Sequence, residues 1–339
     1  MKYRPLGQTG LQVSELALGT LTFARGTGAL AKVDHATADR MVSRALEAGV
    51  NLFDTADHYH AGQSEELLGA ALGARRADVL ISTKVGGRVS SRVNAGGLSY
   101  AHIVASCEAS VKRLGTEWVD ILHVAEPDPN TPFDETARAL DDLVRRGIVR
   151  YIGLSNFPAW EAALGIGIQM AKQLRPFSTM MQYYSLVGRD AERDTLPLAQ
   201  RCGLGLLVTS PLAGGYLSGK YEHGGGTIED RRTAVPYPRV DARNGTLAVE
   251  MLRAIADELD ATPAQVALAW VLLRPGVSSV VLGASSIRQL YENLRAGELA
   301  LGEEHRRRLD ALVAAPVAEA DAWRSVFFDD DMLDELRLS

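Results

Sequence analysis

Asp54, Tyr59 and Lys84 are the residues whose types and spacing point most directly to chemistry. They lie in Asn51-Leu-Phe-Asp54-Thr-Ala-Asp-His-Tyr59 and in Ser82-Thr-Lys84, each at the end of an apolar run. A tyrosine phenol, with a reference pKa of about 10, is a poor acid near neutral pH. A nearby ammonium favours the phenolate and lowers that value. The ammonium must itself be held, and Asp54 can hold it. Brought together, the three form a proton-transfer unit in which Tyr59 donates to a carbonyl oxygen. Kept apart from Tyr59, Lys84 and Asp54 are a structural ion pair.

The elements that must position these residues alternate along the chain. Strands are expected near Leu16–Leu18, Asn51–Phe53, Val79–Val85, Trp118–Val124, Val149–Leu154, Phe177–Tyr183, Leu204–Val208 and Ser279–Leu282. Helical patterns run at Ser64–Leu72, Tyr100–Leu114, Asp134–Arg146, Pro158–Lys172, Leu247–Leu259, Pro263–Leu273 and Ile287–Arg295, with one more between the sixth and seventh strands. In Tyr100–Leu114 the apolar residues Ile103, Val104, Val111 and Leu114 recur at helical spacing. Asp134–Arg146 starts acidic and ends basic, as the helix dipole favours.

Alternation implies a parallel sheet. Eight strand–helix units in about 300 residues imply a closed (β/α)8 TIM barrel, an α/β fold built as a single domain. An open doubly wound sheet is expected to show a Gly-rich turn after its first strand, and Gly19-Thr20-Leu-Thr-Phe23 is no such turn. The barrel is assigned to 1–313 and a C-terminal tail to 314–339. That tail contains Phe327-Phe-Asp-Asp-Asp331 and is expected either to fold over the barrel mouth or to stay disordered. Long loops over the C-terminal face, Gly86–Gly97 and Tyr221–Gly245, are expected to shape a substrate pocket.

Composition narrows the function classes. The chain has 339 residues, 46% hydrophobic and 23% charged, which suits a globular protein. A net charge of −6 leaves no broad basic surface for nucleic acid. No apolar run reaches the ~18 residues of a membrane span, and the N-terminus has no apolar signal core. Two cysteines, Cys107 and Cys202, make no disulfide framework and point to reduced thiols in a cytoplasm. Cys107 sits in a helical pattern as a packed thiol. His58, His60 and His102 lack metal-ligand spacing, so no metal is expected. Met180-Met181 reads as core or pocket wall.

Seven segments together resemble the aldo-keto reductase family. They are Asp54-Thr-Ala-Asp-His-Tyr59, Ser64-Glu-Glu-Leu-Leu-Gly69, Thr83-Lys84, Arg113-Leu-Gly-Thr116, Ile152-Gly-Leu-Ser-Asn-Phe157, Ser210-Pro-Leu-Ala-Gly-Gly215 and Gly283-Ala-Ser-Ser-Ile-Arg-Gln-Leu-Tyr-Glu-Asn293. The matches run in order from about Tyr3 to Leu294. The resemblance implies a barrel that binds a nicotinamide cofactor, usually NADPH, and acts on a small-molecule carbonyl substrate. It implies Tyr59 as general acid, supported by Asp54 and Lys84.

It also implies a cofactor-binding set: Gly19, Thr20, Ser155, Asn156, Gln182, Ser210, Leu212, Gly214, Ser218, Lys220, Gly283, Ser285, Ser286, Arg288, Gln289, Glu292 and Asn293. Within it, Ser210–Gly215 and Leu217-Ser-Gly-Lys220 offer backbone N–H groups and one ammonium to a pyrophosphate. Glu292 and Asn293 match positions that read adenine. Ser285, Ser286 and Arg288 can meet a 2′-phosphate. Ser285 stands where many relatives carry a basic residue, which leaves NADH open as the alternative.

The chain departs from the family at three places. The family's histidine at the end of the fourth strand is replaced by Ala125, two residues before Pro127 of Pro127-Asp-Pro-Asn-Thr-Pro132. His123 lies two residues earlier, on the same side and about 6–7 Å deeper. It either reaches the site through a water or is a core histidine bonded to a neighbour. Glu126 falls on the opposite face unless the strand bulges. On the sixth strand, Met181 stands where the family places a glutamine, and Gln182 would need a register shift to take over. On the seventh, Thr209 replaces an aromatic residue. All three changes surround the nicotinamide end.

Three functions follow as expectations. The first is an NAD(P)H-dependent oxidoreductase acting on a ketone, such as that of a sugar or natural product, or on an activated C=C bond. The second is a nucleotide-binding regulatory or partner-binding barrel with weak catalysis. The third is non-redox, lyase-like chemistry through Tyr59 and Lys84, against which the kept distal motifs weigh.

Overall fold

The structure, a computed structural model, describes residues 1–26, 30–221 and 237–312. Residues 222–236 of the expected long loop and the whole C-terminal tail lie outside the described residues. An antiparallel hairpin, β1 (Tyr3–Pro5) and β2 (Gln12–Ser14), comes first. No strand is expected there from the sequence, whose first expected strand is near Leu16–Leu18. Gly7, in the hairpin turn at φ 56°, presses on the backbone of Gly203 and Gly205, where a Cβ would come within 2.4 Å. A left-handed residue without a side chain is required at that point.

Eight parallel strands then close a barrel. They are β3 (Leu16–Gly19), β4 (Leu52–Asp54), β5 (Leu80–Val85), β6 (Val119–Val124), β7 (Val149–Ser155), β8 (Thr179–Tyr183), β9 (Gly205–Thr209) and β10 (Val277–Gly283). Closure is made by β10 on β3, with Val280 opposite Leu16 and Gly283 opposite Gly19. The helices between and after them are α1 (His35–Glu47), α2 (Gln63–Leu72), α3 (Tyr100–Leu114), α4 (Phe133–Arg145), α5 (Ala159–Ala171), α6 (Thr195–Arg201), α7 (Ala242–Glu258), α8 (Pro263–Leu272), α9 (Ile287–Leu294) and α10 (Glu303–Asp310). The expected (β/α)8 barrel is therefore what forms. Ala242–Gly245, read as loop, opens α7, and α1 and α10 were not foreseen.

Strands of a parallel barrel are buried on both faces, so their sequences are apolar almost throughout. Alternate residues divide between two cores. Leu18, Phe53, Ile81, Leu122, Ile152, Met180, Leu206 and Val280 pack outward against the helices. Ala17, Leu52, Ile121, Met181, Leu207 and Val281 pack inward, together with Leu6 and Val13 around the hairpin. The hairpin thus closes the N-terminal end, and chemistry is left to the C-terminal end. Helix starts carry matching signals: Asp34, Ser99 and Ser286 each accept from a backbone N–H three residues on. Thr262 and Gln265 form a capping box with Pro263 at the first helical position. Cys107 lies wholly inside, and burial, with Glu65 nearby, pushes its thiol up to about 12. Among the described residues, no helix is long and apolar enough to cross a membrane.

Candidate active site

Asp54 ends β4 and Lys84 lies near the end of β5, one strand over, where Asp54 pairs in register with Ser82. Lys84 Nζ donates to Asp54 Oδ2 at 2.7 Å and to the Thr55 carbonyl at 2.8 Å. Burial works against the ammonium. Asp54 and Tyr59 outweigh it and hold Lys84 above the usual lysine value. Lys84 Nζ stands 5.1 Å from the centroid of the Tyr59 ring, which is half-buried. The three residues singled out for proton transfer are thus brought into one cluster.

Tyr59 is presented by a turn that the chain does not favour. His60 and Ala61 follow it at φ 50° and 53°, and Gly62 at φ 89°. Left-handed non-glycine residues cost about 1–2 kcal/mol each, so the surroundings must impose them. Two contacts do so. His60 Nε2 donates to the Leu21 carbonyl at 2.8 Å. Arg113 lies where a Cβ on Gly62 would be, 2.5 Å from its Cδ. Arg113 Nε in turn donates to Glu65 Oε2 at 2.6 Å, and Thr83 Oγ1 donates to Glu65 Oε1 at 2.6 Å. Glu65 is fully buried, and burial raises its pKa against the pull of Arg113. Beside Tyr59, the His58 ring makes an edge contact at 4.9 Å, with its Nδ1 3.0 Å from Asp57 Oδ1. His102 pairs with Ser106, so His58, His60 and His102 each have a separate partner. Among the described residues, no three His, Cys, Asp or Glu side chains gather in a metal-like group.

His123 is fully buried, one row below the barrel mouth. The register His123–Gly153–Thr179 runs across β6, β7 and β8. Its Nε2 lies 2.8 Å from Thr179 Oγ1 and its Nδ1 3.2 Å from Ser82 Oγ. Burial, and then the Lys84 charge, push its pKa down to about 3, so the ring is neutral. Of the two positions left open for it, His123 takes the core one. Sequence reasoning does not single out Ser82, Thr179 and Gly153 as partners of His123: of the three only Gly153 is its register partner, while Ser82 lies one inward position below Lys84 on β5 and Thr179 two strands away on β8.

Ala125 follows the last residue of the fourth barrel strand and is half-buried, and its carbonyl accepts from Asn156 Nδ2 at 3.2 Å. Glu126 is exposed. On the sixth barrel strand no bulge occurs: Met181 pairs with Ser155 and with Leu207, and Gln182 pairs with Val208. Met181 therefore stays inward, and the register shift that Gln182 would need is absent. Strand alternation turns Gln182 away from Met181, and its Oε1 is buried without a hydrogen-bond partner. Thr209 ends the seventh barrel strand half-buried.

The residues assigned to a cofactor fall in two places. Gly19 and Thr20 are buried beside Asp54, with Thr20 N–H donating to the Asp54 carbonyl at 2.9 Å. Thr20 Oγ1 also lies 2.7 Å from Ser64 Oγ. Ser155 ends β7, and Asn156 follows it at φ 56° with its backbone N–H bonded to Met181. The second place lies after the last two barrel strands. Ser210, Ala213, Gly214 and Gly215 take left-handed angles of 49°, 48°, 69° and 90°. Within this segment the Ala213 and Gly215 N–H groups bond to the Ser210 and Leu212 carbonyls at 2.8 and 2.9 Å, so any anion-binding nest here is left to the remaining N–H groups of the turn. Leu212 lies within this turn, and Ser218 Oγ closes it by donating to the Gly215 carbonyl at 2.7 Å. Lys220 lies over the Tyr221 ring at 4.8 Å.

Beyond β10, Gly283 opens on free space, with nothing within 4 Å of its Cβ position. Ser286 caps α9 there, accepting from Gln289 N–H at 3.2 Å. Gln289 Oε1 accepts from both N–H and Oγ of Ser285 at 2.9 Å. Arg288 is 87% exposed and paired to Glu292 at 2.7 Å, while Asn293 is buried. This second place fits a dinucleotide: nest, helix N-terminus and free space adjoin the ends of successive strands.

Comparison with known proteins gives a family. The sequence profile of the aldo/keto reductase family matches residues 15–314. The uncharacterized oxidoreductase YrpG of Bacillus subtilis (strain 168) is 36% identical over 339 residues, covering 95% of this chain and 100% of that protein. A protein of Arabidopsis thaliana named probable voltage-gated potassium channel subunit beta is 37% identical over 309 residues, covering 87% of this chain and 91% of its own. A protein of the same name from Oryza sativa subsp. japonica is 35% identical over 337 residues, covering 96% and 100%. With its barrel closed and nearly its whole length matched, the chain belongs to the aldo/keto reductase family of oxidoreductases.

Proposed function

We propose that this chain reduces a small carbonyl substrate with NADPH, NADH being the alternative donor, and that Tyr59 is the general acid. One observation carries the reading: the Lys84 ammonium, held 2.7 Å from Asp54, stands over the Tyr59 ring. When bound, the nicotinamide supplies a hydride to the carbonyl carbon. Tyr59 gives its hydroxyl proton to the carbonyl oxygen, and the Lys84 ammonium stabilises the phenolate left behind. Asp54 keeps that ammonium in place. Ser155 and Asn156 orient the nicotinamide end, while the 210–215 nest and the α9 start take the phosphates. Gln182, turned away from the interior, is not retained in this set. The substrate is a ketone, of a sugar or natural product by analogy alone, or an activated C=C bond. We read the enzyme as cytoplasmic, in keeping with two unpaired cysteines.

The test is a fluorescence titration with NADPH and NADH, followed by carbonyl-dependent oxidation for the parent and Tyr59→Phe. Binding with turnover lost in Tyr59→Phe is expected. Turnover that survives Tyr59→Phe overturns the acid, and absence of binding overturns the reductase. A second reading is a nucleotide-binding barrel that regulates a partner. It is favoured by Ala125, which offers only a methyl where an oxyanion donor would stand, and by two relatives named as channel subunits. It expects tight binding with negligible turnover.

A further inference from the structure

We propose that His123 is a positioning residue, acting through Ser82 to fix the Asp54 carboxylate against Lys84; the role rests on Tyr59 being the acid. Ser82 Oγ lies 3.0 Å from Asp54 Oδ1 and 3.2 Å from His123 Nδ1. A hydroxyl has one proton, and an ionised carboxylate only accepts. Ser82 therefore donates to Asp54 and must accept from Nδ1–H of His123. A neutral imidazole protonated at Nδ1 has its lone pair at Nε2. Thr179 Oγ1, 2.8 Å away, donates to it.

The chain of bonds runs one way, from Thr179 through His123 and Ser82 to Asp54. It fills the first carboxylate oxygen, as Lys84 fills the second. Asp54 cannot turn without breaking a bond at one end. Bonds in such a buried chain polarise one another toward the charge. Space for the ring is reserved by Gly153, where a Cβ would stand 2.6 Å from His123 Cδ2 and 2.1 Å from Thr179 Oγ1. His123 is fully buried and neutral, so it acts on the bond network and not as a proton donor to substrate.

The experiment is an alkaline titration read as tyrosinate absorbance, with the curve of Tyr59→Phe subtracted to isolate Tyr59. Asp54, Asp57, His58, His60 and Lys84, titratable groups around Tyr59, are unchanged in every variant. In His123→Leu the Tyr59 step is expected to move to higher pH by about one unit, because the ammonium is less well held. His123→Asn places an amide N–H where Nδ1 was and is expected to restore the parent curve. Ser82→Ala is expected to match His123→Leu, and the double variant to move no further, as members of one chain are not additive. Unfolding curves run in parallel report whether each variant is folded. Folded His123→Leu superimposing on the parent overturns the proposal, as does His123→Asn behaving like His123→Leu. Should His123→Leu not fold, an unmoved step in Ser82→Ala overturns it equally. The readout needs neither cofactor nor substrate. Failure of the reductase reading therefore shows as absent NADPH binding, with this titration unaffected.

Discussion

Lys84 Nζ lies 2.7 Å from Asp54 Oδ2, and each side chain is only 5% exposed. A buried pair is weak as a source of net stability, but removing one partner leaves an uncompensated charge. Lys84→Met is therefore expected to destabilise the fold by about 3–5 kcal/mol and to abolish Tyr59-dependent turnover. Urea unfolding and the carbonyl assay check the two effects separately. The pH dependence has a definite sign. The folded-state pKa of Lys84 is raised, with Asp54 and Tyr59 outweighing burial. Its contribution is complete below the ordinary lysine value of 10.5 and is lost as pH rises through the higher folded value. The parent should thus lose stability at alkaline pH more steeply than Lys84→Met.

Gly153 tests the packing around His123. An added methyl meets Thr179 Oγ1 at 2.1 Å and the imidazole at 2.6–2.7 Å. Neither side chain is the free end of a flexible stem, since each is bonded to the other. Gly153→Ala is expected to cost about 1–3 kcal/mol by overpacking. It should also move the Tyr59 titration in the direction of His123→Leu. Loss of stability without that movement would separate packing from positioning.

Much of this was legible in the sequence, for physical reasons that differ by residue. The barrel could be read because both faces of each strand are buried, which writes apolar runs at regular intervals. Asp54, Tyr59 and Lys84 could be read because their chemistry requires those residue types at strand ends. The hairpin could not, because Leu6 and Val13 are too few apolar residues to show a period, although they fill the barrel floor. Which of Met181 and Gln182 faces inward is invisible in the sequence, because it is fixed only by the pairing of Met181 with Ser155 and of Gln182 with Val208. The neighbours of His123 were hidden for a similar reason: Ser82 and Thr179 meet it only through closure of three strands, far apart in sequence.

Arg113 and Glu65 make a second buried pair, behind the Tyr59 turn. Arg113 Nε is 2.6 Å from Glu65 Oε2, and the Glu65 side chain is wholly enclosed. Arg113→Met should leave that carboxyl with the Thr83 hydroxyl but no counter-charge and cost about 3–5 kcal/mol. Its second effect is local. Without Arg113 against Gly62, the turn that carries the left-handed His60 and Ala61 loses the side chain packed on its third residue. Turnover should therefore fall while NADPH affinity, read by fluorescence titration, stays near the parent value. Equal losses in both would place Arg113 in general stability alone.

Ala125→His decides between the two functional readings. The barrel mouth carries Tyr59 on one side, but Ala125 contributes no donor to a developing oxyanion. A single such donor is worth about 10²–10³ in kcat where it is present. Ala125 is half-buried, and its backbone is already fixed by Val85 and Asn156. If the chain is a reductase limited at this point, Ala125→His should raise kcat by about tenfold or more with cofactor affinity unchanged. Steady-state kinetics on one ketone, at saturating NADPH, measures it. An unchanged, negligible rate with tight NADPH binding would favour the regulatory barrel, in which Met181 and Thr209 leave the nicotinamide end unsuited to turnover whatever stands at residue 125.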